Sequence, residues 1–254
     1  MHAPAVQPDA DRWRCITGLL PHVSIGVVDH LDALRGEGAA FVGVLHQADA
    51  GLPVPVCGEW RLRDLAHHLG GVHRWATSAA LGEGRAPSVL ARPVPPDEEL
   101  ADWLLEGLEA LTVALTDEER PCWTLTGHAT ATWWRRRQAL ETAVHRVDAE
   151  RVLGPANPID PALAADGIAE VVDVLHPRQI RLGRAALPAA SLRLTTDDGQ
   201  GSWLVAGPSP AAEIIGPAET LLLLVWGRTN LDDRRLQVEG LRLAQVVLAE
   251  PLTP

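Results

Sequence analysis

The spacing of apolar residues predicts that the first half of the chain is helical. Four stretches carry apolar side chains at intervals of three and four residues, the rhythm of a helix that buries one face. No stretch of this half shows the alternation of apolar and polar residues that is typical of a strand. We therefore predict a four-helix bundle, with helices at residues 29–48, 62–81, 97–115 and 132–153.

The second half has a different pattern. Glycine and proline cluster at residues 154–161, and such clusters mark a break between structural elements. Beyond the break, short β-type runs bounded by turn residues alternate with helical runs. The predicted strands span residues 191–196, 202–206, 212–215 and 236–239, and the predicted helices span residues 163–175, 218–227 and 241–249.

Together these patterns predict an α+β protein in three parts. An N-terminal extension, either an added helix or a loosely held segment, occupies residues 1–28. The helical bundle occupies residues 29–155, and a small α+β domain occupies residues 162–254. With 46% hydrophobic residues, a chain of 254 residues has enough apolar material for one large domain or two modest ones.

The acidic balance of the chain restricts its partners. The sequence has 33 acidic and 22 basic residues, which gives a formal net charge of −11. Nucleic-acid binding requires a basic surface that displaces counterions from phosphates. We therefore expect a small-molecule ligand and no nucleic-acid partner. The sequence predicts no particular oligomeric state.

Cysteine usage and the lengths of the apolar runs predict a cytoplasmic protein with no membrane partner. The three cysteines are far apart and lack a CxxC spacing, so neither a disulfide framework nor a thiolate zinc site is indicated. Residues 1–14 have no apolar core of the length found in signal peptides. The strongly apolar run at residues 221–226 is too short to span a bilayer. The cysteines are Cys15, Cys57 and Cys122.

Candidate metal ligands lie on the second and fourth predicted helices. Helical phase places His68 at the edge of the apolar stripe of the second helix and His67 on the opposite side, exposed to solvent. His73, on the other shoulder of that stripe, is a second candidate. Glu141 and His145 are four residues apart, so they share one face of the fourth helix and can chelate one ion.

Spacing alone leaves a plainer interpretation open. A glutamate and a histidine four residues apart form a surface pair more often than a metal site. For His68 taken by itself, a hydrogen-bonded core histidine is the simpler interpretation. In favour of a metal, Glu141 lies among bulky apolar residues, where an unpaired carboxylate is costly and a bound cation removes that cost. Helical bundles also commonly build metal sites from facing helices.

Two motifs resemble the mycothiol-dependent maleylpyruvate isomerase family, whose four-helix bundle has the DinB-like fold. The first reads VPVCGEW at residues 54–60 and RDLAHHLGGVHRW at residues 63–75, and the second reads WWRRRQALETAVHRVDAE at residues 133–150. The family patterns are approximately V-P-x-C-P-G-W-x-x-x-D-L-x-x-H-L and E-T-x-x-H-R-x-D-A-E. Residues 216–228 are similar to part of the family's C-terminal domain. This chain has Gly58-Glu59 in place of Pro-Gly, and Leu140 where a histidine often stands.

The resemblance implies a metal centre and a thiol cosubstrate. The family's two-histidine, one-carboxylate site corresponds to His68, Glu141 and His145, and it implies Zn²⁺ or another divalent cation. The family's cosubstrate is mycothiol. An arginine of the C-terminal domain contributes to activity, and Arg228 is its expected counterpart, as a catalytic and cosubstrate-binding residue; a cation at a helix end is the alternative. Arg137, placed by helical phase, is a further candidate for binding carboxylates through its planar guanidinium.

The implied reaction is a cis–trans isomerisation. A thiol held at the open position of zinc loses its proton and adds to an activated cis double bond of an unsaturated dicarboxylate. Rotation and elimination then return the thiol and the trans isomer. Two alternatives stay open: a mycothiol S-transferase that acts on an electrophile in detoxification or natural-product biosynthesis, and a non-catalytic binding module that has kept the DinB-like bundle.

Three residues near the motifs have structural as well as functional interpretations. Asp148 lies one turn beyond His145, where it either holds a ligand histidine in place or stays on the helix surface. Asp64 is expected to interact with the positive start of the second helix. Cys57 is expected to be a small buried residue and not a nucleophile.

Overall fold

The computed structural model describes residues 28–82, 95–205, 207 and 211–254, and it begins with a bundle of four long helices. A short 3₁₀ turn, Asp97–Glu99, precedes the third helix. The four predicted helices are confirmed to within about one turn at each end. The extension predicted for residues 1–28 lies, except for its last residue, outside the described residues. The helices are α1 (His30–Leu45), α2 (Leu62–Leu81), α3 (Leu100–Ala114) and α4 (Ala131–Glu150).

Side chains just before or inside the first turn fix where α1 and α2 begin. The Asp29 carboxylate accepts hydrogen bonds from the backbone amides of Leu31 and Asp32. In α2, the Asp64 carboxylate accepts from the backbone amide of Arg61 at 2.8 Å, which confirms its expected place at the helix start. These caps set the helical phase, and hence which α2 side chains face the bundle.

The helix α4 is the central element of the bundle. It packs against α1, α2 and α5, a following helix at Pro161–Glu170. Every residue from Arg137 to Ala149 is buried, so this helix is enclosed on all sides. A helix surrounded by protein cannot leave its charged groups to water. The charged side chains of α4 must therefore be paired inside the molecule.

A β-hairpin joins α3 to α4, and the sequence pattern did not predict it. Strands β1 (Pro121–Thr124) and β2 (Gly127–Thr130) pair antiparallel. The Trp134 indole Nε1 donates to the backbone carbonyl of Trp123 at 2.7 Å, which fixes the hairpin to α4. The two strand sequences, PCWT and GHAT, do not alternate large apolar and polar residues, so they carry no strand signal. The prediction that the first half contains no strand is therefore wrong.

The second half combines a four-stranded sheet with helices, as predicted. The sheet order is β4-β3-β5-β6, with β3 and β5 parallel and the other pairs antiparallel. The helix α5 continues through one π-helical turn, Val171–Leu175, into α6 (His176–Arg181), so this helical segment is longer than predicted. The remaining elements are β3 (Ser191–Thr196), β4 (Ser202–Val205), β5 (Ala211–Gly216), α7 (Ala218–Val225), β6 (Gln237–Glu239) and α8 (Leu241–Leu248).

One continuous apolar core connects the bundle to the second half. It contains Leu140 of α4, Ile168 of α5, Leu222 of α7 and Leu192 of the sheet. At Gly167 an added Cβ would lie 2.9 Å from the Leu222 side chain, so α5 and α7 approach closely. The molecule is thus α+β, and α5 packs against α4. The predicted boundaries between its three parts, at residues 28, 155 and 162, stay a prediction. None of the helices in the described residues is long and apolar enough to cross a membrane.

Candidate metal centre

Three side chains from two helices converge at the face between α2 and α4. One ligand atom each from His68, Glu141 and His145 lies within 4.8 Å of the other two. The His68 Nε2 atom is 3.7 Å from Glu141 Oε1, which is longer than a hydrogen bond. The rings of His68 and His145 are 5.1 Å apart and nearly perpendicular. Ligand atoms on one tetrahedral zinc ion lie about 3.4 Å apart, so small side-chain rotations would close these three around an ion.

The cluster is buried on its α4 side and open on its α2 side. The side chains of Glu141 and His145 are only 12% and 6% exposed, whereas the side chain of His68 is 36% exposed. The Trp60 ring lies 5.3 Å from the His68 ring, and Trp60 is itself partly exposed. Among the described residues, His68 and Trp60 therefore form the exposed side of the cluster.

Glu141 carries its negative charge inside the protein. Burial alone would raise the pKa of its carboxyl group, but Arg137 and the two neighbouring histidines together lower that pKa to about 2. The Arg137 Nη2 atom is 2.9 Å from Glu141 Oε2. A metal ligand must be deprotonated, and Glu141 is deprotonated at neutral pH.

Acid is expected to destabilise the metal-free protein through Glu141. The carboxyl pKa is about 2 in the folded protein and near the ordinary value of 4.5 when unfolded. Its stabilising contribution is complete above the unfolded value and is lost as the pH falls from about 4.5 towards about 2. Urea unfolding at about pH 5 and about pH 3 measures this loss. Glu141→Gln should show a smaller difference between the two pH values; an unchanged difference would contradict the assignment.

The guanidinium of Arg137 lies between two carboxylates. Besides its contact with Glu141, its Nη1 atom donates to Glu170 Oε2 at 2.8 Å, and the residue is 3% exposed. Burial lowers the pKa of Arg137, but the two carboxylates raise it further, so it stays charged. That Arg137 binds a cosubstrate stays a prediction; what the structure adds is its pairing with Glu170 of α5.

Glu170 is the residue near the cluster that the sequence reasoning missed. It is 3% exposed, and burial raises the pKa of its carboxyl group while Arg137 acts in the opposite direction. A signal was present: Glu170 is an acidic residue inside the apolar run 168–172 of a predicted helix. Such a residue, once buried, needs a cationic partner.

A second set of paired charged side chains, Asp148 and Arg228, contacts His145 through Asp148. The Asp148 Oδ2 atom is 3.1 Å from His145 Nδ1, and Asp148 is fully buried. Arg228 donates to the same carboxylate, from Nε to Oδ1 at 3.1 Å and from Nη2 to Oδ2 at 3.0 Å. Burial raises the pKa of Asp148, but His145 and Arg228 lower it further. An ionised Asp148 accepts the Nδ1 proton of His145 and leaves Nε2 free for a cation.

Arg228 lies just beyond the end of α7, where its guanidinium contacts both the helix end and Asp148. Its role as a catalytic and cosubstrate-binding residue stays a prediction. Its Nη1 atom donates to the Trp226 backbone carbonyl at 2.9 Å, as a helix-end cation does, and its other nitrogens contact Asp148. Its Nη2 atom is also 3.8 Å from the Cys57 sulfur. Burial, with a smaller effect from Asp148, raises the pKa of the Cys57 thiol to about 11, so this half-buried thiol is protonated, in line with an unreactive side chain.

The neighbouring histidines of α2 lie outside the cluster. His73 is fully buried, with Nε2 3.0 Å from Thr142 Oγ1, and burial lowers its pKa to about 3. It is a neutral core histidine. His67 is half-buried because the Trp103 ring of α3 packs edge-on against it at 6.1 Å, and burial lowers its pKa. The prediction that His67 is solvated is therefore wrong.

Comparisons with known proteins match both halves of this chain to one protein family. Residues 31–150 match the mycothiol maleylpyruvate isomerase N-terminal domain, and residues 162–244 match the C-terminal domain of the same family. Two crystal structures of the mycothiol-dependent maleylpyruvate isomerase, the first from a histidine-to-alanine mutant, are similar in fold, with TM-scores of 0.65 and 0.63. They are 13% and 14% identical in sequence, and each alignment covers 83% of this chain and 91% of the other. No curated protein matches at a significant level. Because the two domain matches cover most of its length, this chain belongs to the mycothiol-dependent maleylpyruvate isomerase family.

Proposed function

We propose that this protein is a metal-dependent enzyme that uses mycothiol to isomerise an unsaturated, dicarboxylate-like substrate of the maleylpyruvate type. The observation that carries the proposal is the convergence of His68, Glu141 and His145 at a partly open face of the bundle. The family membership supports the thiol cosubstrate and the type of reaction. Its free thiols, Cys57 and Cys122 among the described residues, suit the reducing cytoplasm that we propose as its location.

The donor set fits a divalent cation. Two imidazoles and one carboxylate are ligands that zinc accepts, and three protein ligands leave a position for an exogenous one. The buried charge of Glu141 is of the sign that a cation neutralises. When bound, a zinc ion lowers the pKa of a coordinated thiol and so supplies a nucleophile near neutral pH.

The protein groups around the cluster orient its ligands. Asp148 accepts the Nδ1 proton of His145, and Arg228 neutralises Asp148 from the other side. Arg228 is also the proposed partner for a substrate carboxylate, since its side chain is 18% exposed and Nη1 and Nη2 each keep one N–H beside those that contact Trp226 and Asp148. Arg137 has a different surrounding, because both of its terminal nitrogens contact carboxylates of the protein.

The proposed reaction needs no redox partner. The thiolate sulfur forms a bond to one alkene carbon, and the π electrons move onto the carbonyl group conjugated with the double bond. The former double bond is then single and rotates. The electrons return, the carbon–sulfur bond breaks, and the sulfur leaves with its electron pair as the thiolate that began the cycle.

Product mass tests the proposed reaction. The zinc-loaded protein is incubated with mycothiol and maleylpyruvate, and the products are analysed by mass spectrometry and by thiol titration. We expect a product of unchanged mass and full recovery of free thiol, because elimination regenerates mycothiol. A stable adduct with loss of free thiol would instead indicate the S-transferase. Bound metal with neither product would indicate the binding module.

A further inference from the structure

A row of three buried charges connects α5 to the metal cluster. Glu170 of α5 accepts from Arg137 Nη1 at 2.8 Å, and Arg137 Nη2 is 2.9 Å from Glu141 Oε2. Glu170 is 3% exposed, Arg137 3% and Glu141 9%. The two carboxylates are contributed by the two halves of the chain. The arginine between them therefore links Glu170 of the second half to Glu141 of the cluster.

The two carboxylate oxygens of Glu141 have different partners. Arg137 Nη2 lies against Oε2, and the Gln138 side-chain amide donates to the same oxygen at 3.5 Å. The other oxygen, Oε1, is the one that lies 3.7 Å from His68 Nε2. One oxygen is thus anchored to the protein, while the other faces the histidine that completes the cluster.

Glu170 and Glu141 share the guanidinium of Arg137. A free guanidinium pairs with a carboxylate through two parallel hydrogen bonds, which would occupy both oxygens of Glu141. Glu170 engages Nη1, so the fork of Nη1 and Nη2 is not free for Glu141, which Arg137 contacts through Nη2. The negative charge of Glu170 also balances part of the arginine's charge. Without it, the full positive charge would act on Glu141 and compete with a cation.

We infer that Glu170 and Arg137 are positioning residues for Glu141: they anchor Oε2 and present Oε1 to the metal, so that α5 controls metal affinity. This inference rests on the proposed metal centre and goes beyond its three ligands. Glu170 is the last residue of α5, and the π-helical turn Val171–Leu175 begins directly after it. Such turns are frequent at functional sites.

Metal affinity of the Glu170→Gln variant tests the inference. Glutamine keeps the size of the side chain and an oxygen that accepts from Arg137, but it removes the charge. We expect Co²⁺ to bind about tenfold more weakly or worse, with a changed visible absorption spectrum, because the carboxylate ligand is drawn towards Arg137. Titration with Co²⁺ measures both quantities without any assay of activity.

The matched control is Asp166→Asn. Asp166 lies one turn before Glu170 on α5 and pairs with Arg136, the residue before Arg137, at 3.0 Å. Through Arg136 it joins α4 and α5, as Glu170 does, and it also bonds to His30 of α1 at 2.8 Å. It does not belong to the cluster. We expect Co²⁺ affinity and spectrum to be those of the wild type, even where the melting temperature falls.

The outcomes separate this inference from the metal centre itself. If Glu170→Gln binds Co²⁺ like the wild type, while His68→Ala does not bind it, the positioning role is wrong and the metal centre stands. If the wild type binds no Co²⁺, both are wrong. Should Glu170→Gln fail to fold, the double variant Arg137→Met, Glu170→Met removes both charges of the buried pair. With the anchor of Oε2 removed, its Co²⁺ spectrum should differ from that of the wild type, and an unchanged spectrum there overturns the inference.

Discussion

The Glu141→Ala variant is expected to lose the metal proposed for the cluster, and the proposed isomerase activity should fall on the order of 10³-fold, since the anionic member of the proposed ligand set is gone. The variant should still fold, because Arg137 keeps its pairing with Glu170 and no buried charge is left alone. Atomic emission after dialysis measures the loss of metal, and the far-UV circular dichroism spectrum shows whether the variant is folded. His68→Ala and His145→Ala should lose metal in the same way.

The control for these variants is His67→Ala. His67 is the neighbour of His68 on α2, is half-buried against Trp103 and lies outside the cluster. Its removal deletes a histidine from the same helix and is expected to leave the metal content at the wild-type level. Equal metal in His67→Ala, His68→Ala and the wild type would refute His68 as a ligand.

The second large effect is expected for Asp148→Asn. Asparagine fills the same space, but it carries no charge for Arg228 and holds the Nδ1 proton of His145 more weakly. Loss of such a partner of a ligand histidine typically weakens metal binding by about 10–100-fold. Competition with a chromophoric chelator measures the affinity. If Asp148 acts only through His145, activity should return to the wild-type level at saturating zinc.

A suitable comparison for Asp148→Asn is Asp233→Asn. Asp233 also pairs with an arginine, Arg235, at 2.8 Å, but it belongs to the loop before β6 and not to the cluster. Its replacement should leave zinc affinity unchanged. If the two variants bind zinc equally well, the carboxylate behind His145 has no part in holding the metal.

The sequence predicted the features that depend on one helix at a time. Helical phase placed His68 at the edge of the apolar stripe of α2, and a spacing of four residues put Glu141 and His145 on one face of α4. Both predictions rest on local geometry, because an α-helix has 3.6 residues per turn. Which of the candidate histidines would join Glu141 and His145 was decided by motif resemblance, since phase left His73 open.

Features that depend on contacts between elements were not predictable in this way. Glu170 is 33 residues from Arg137 in sequence, and no periodicity links an acidic residue on α5 to an arginine on α4. The burial of His67 depends on Trp103 of another helix. The hairpin of β1 and β2 is stabilised in part by Trp134 of α4. The partners of Glu170 and His67 are 33 and 36 residues away in the chain, and only packing brings each pair together.

The ion pairs between α4 and the second half affect how this protein can be divided or recombined. Both proposed ligands on α4 are linked to residues encoded after residue 160: Glu170 acts on Glu141 through Arg137, and Arg228 acts on His145 through Asp148. A gene fragment ending at residue 155 would encode all three proposed ligands and yet leave Asp148 without its arginine. Chimaeras that exchange the two halves between relatives would therefore have to carry matching partners across the junction.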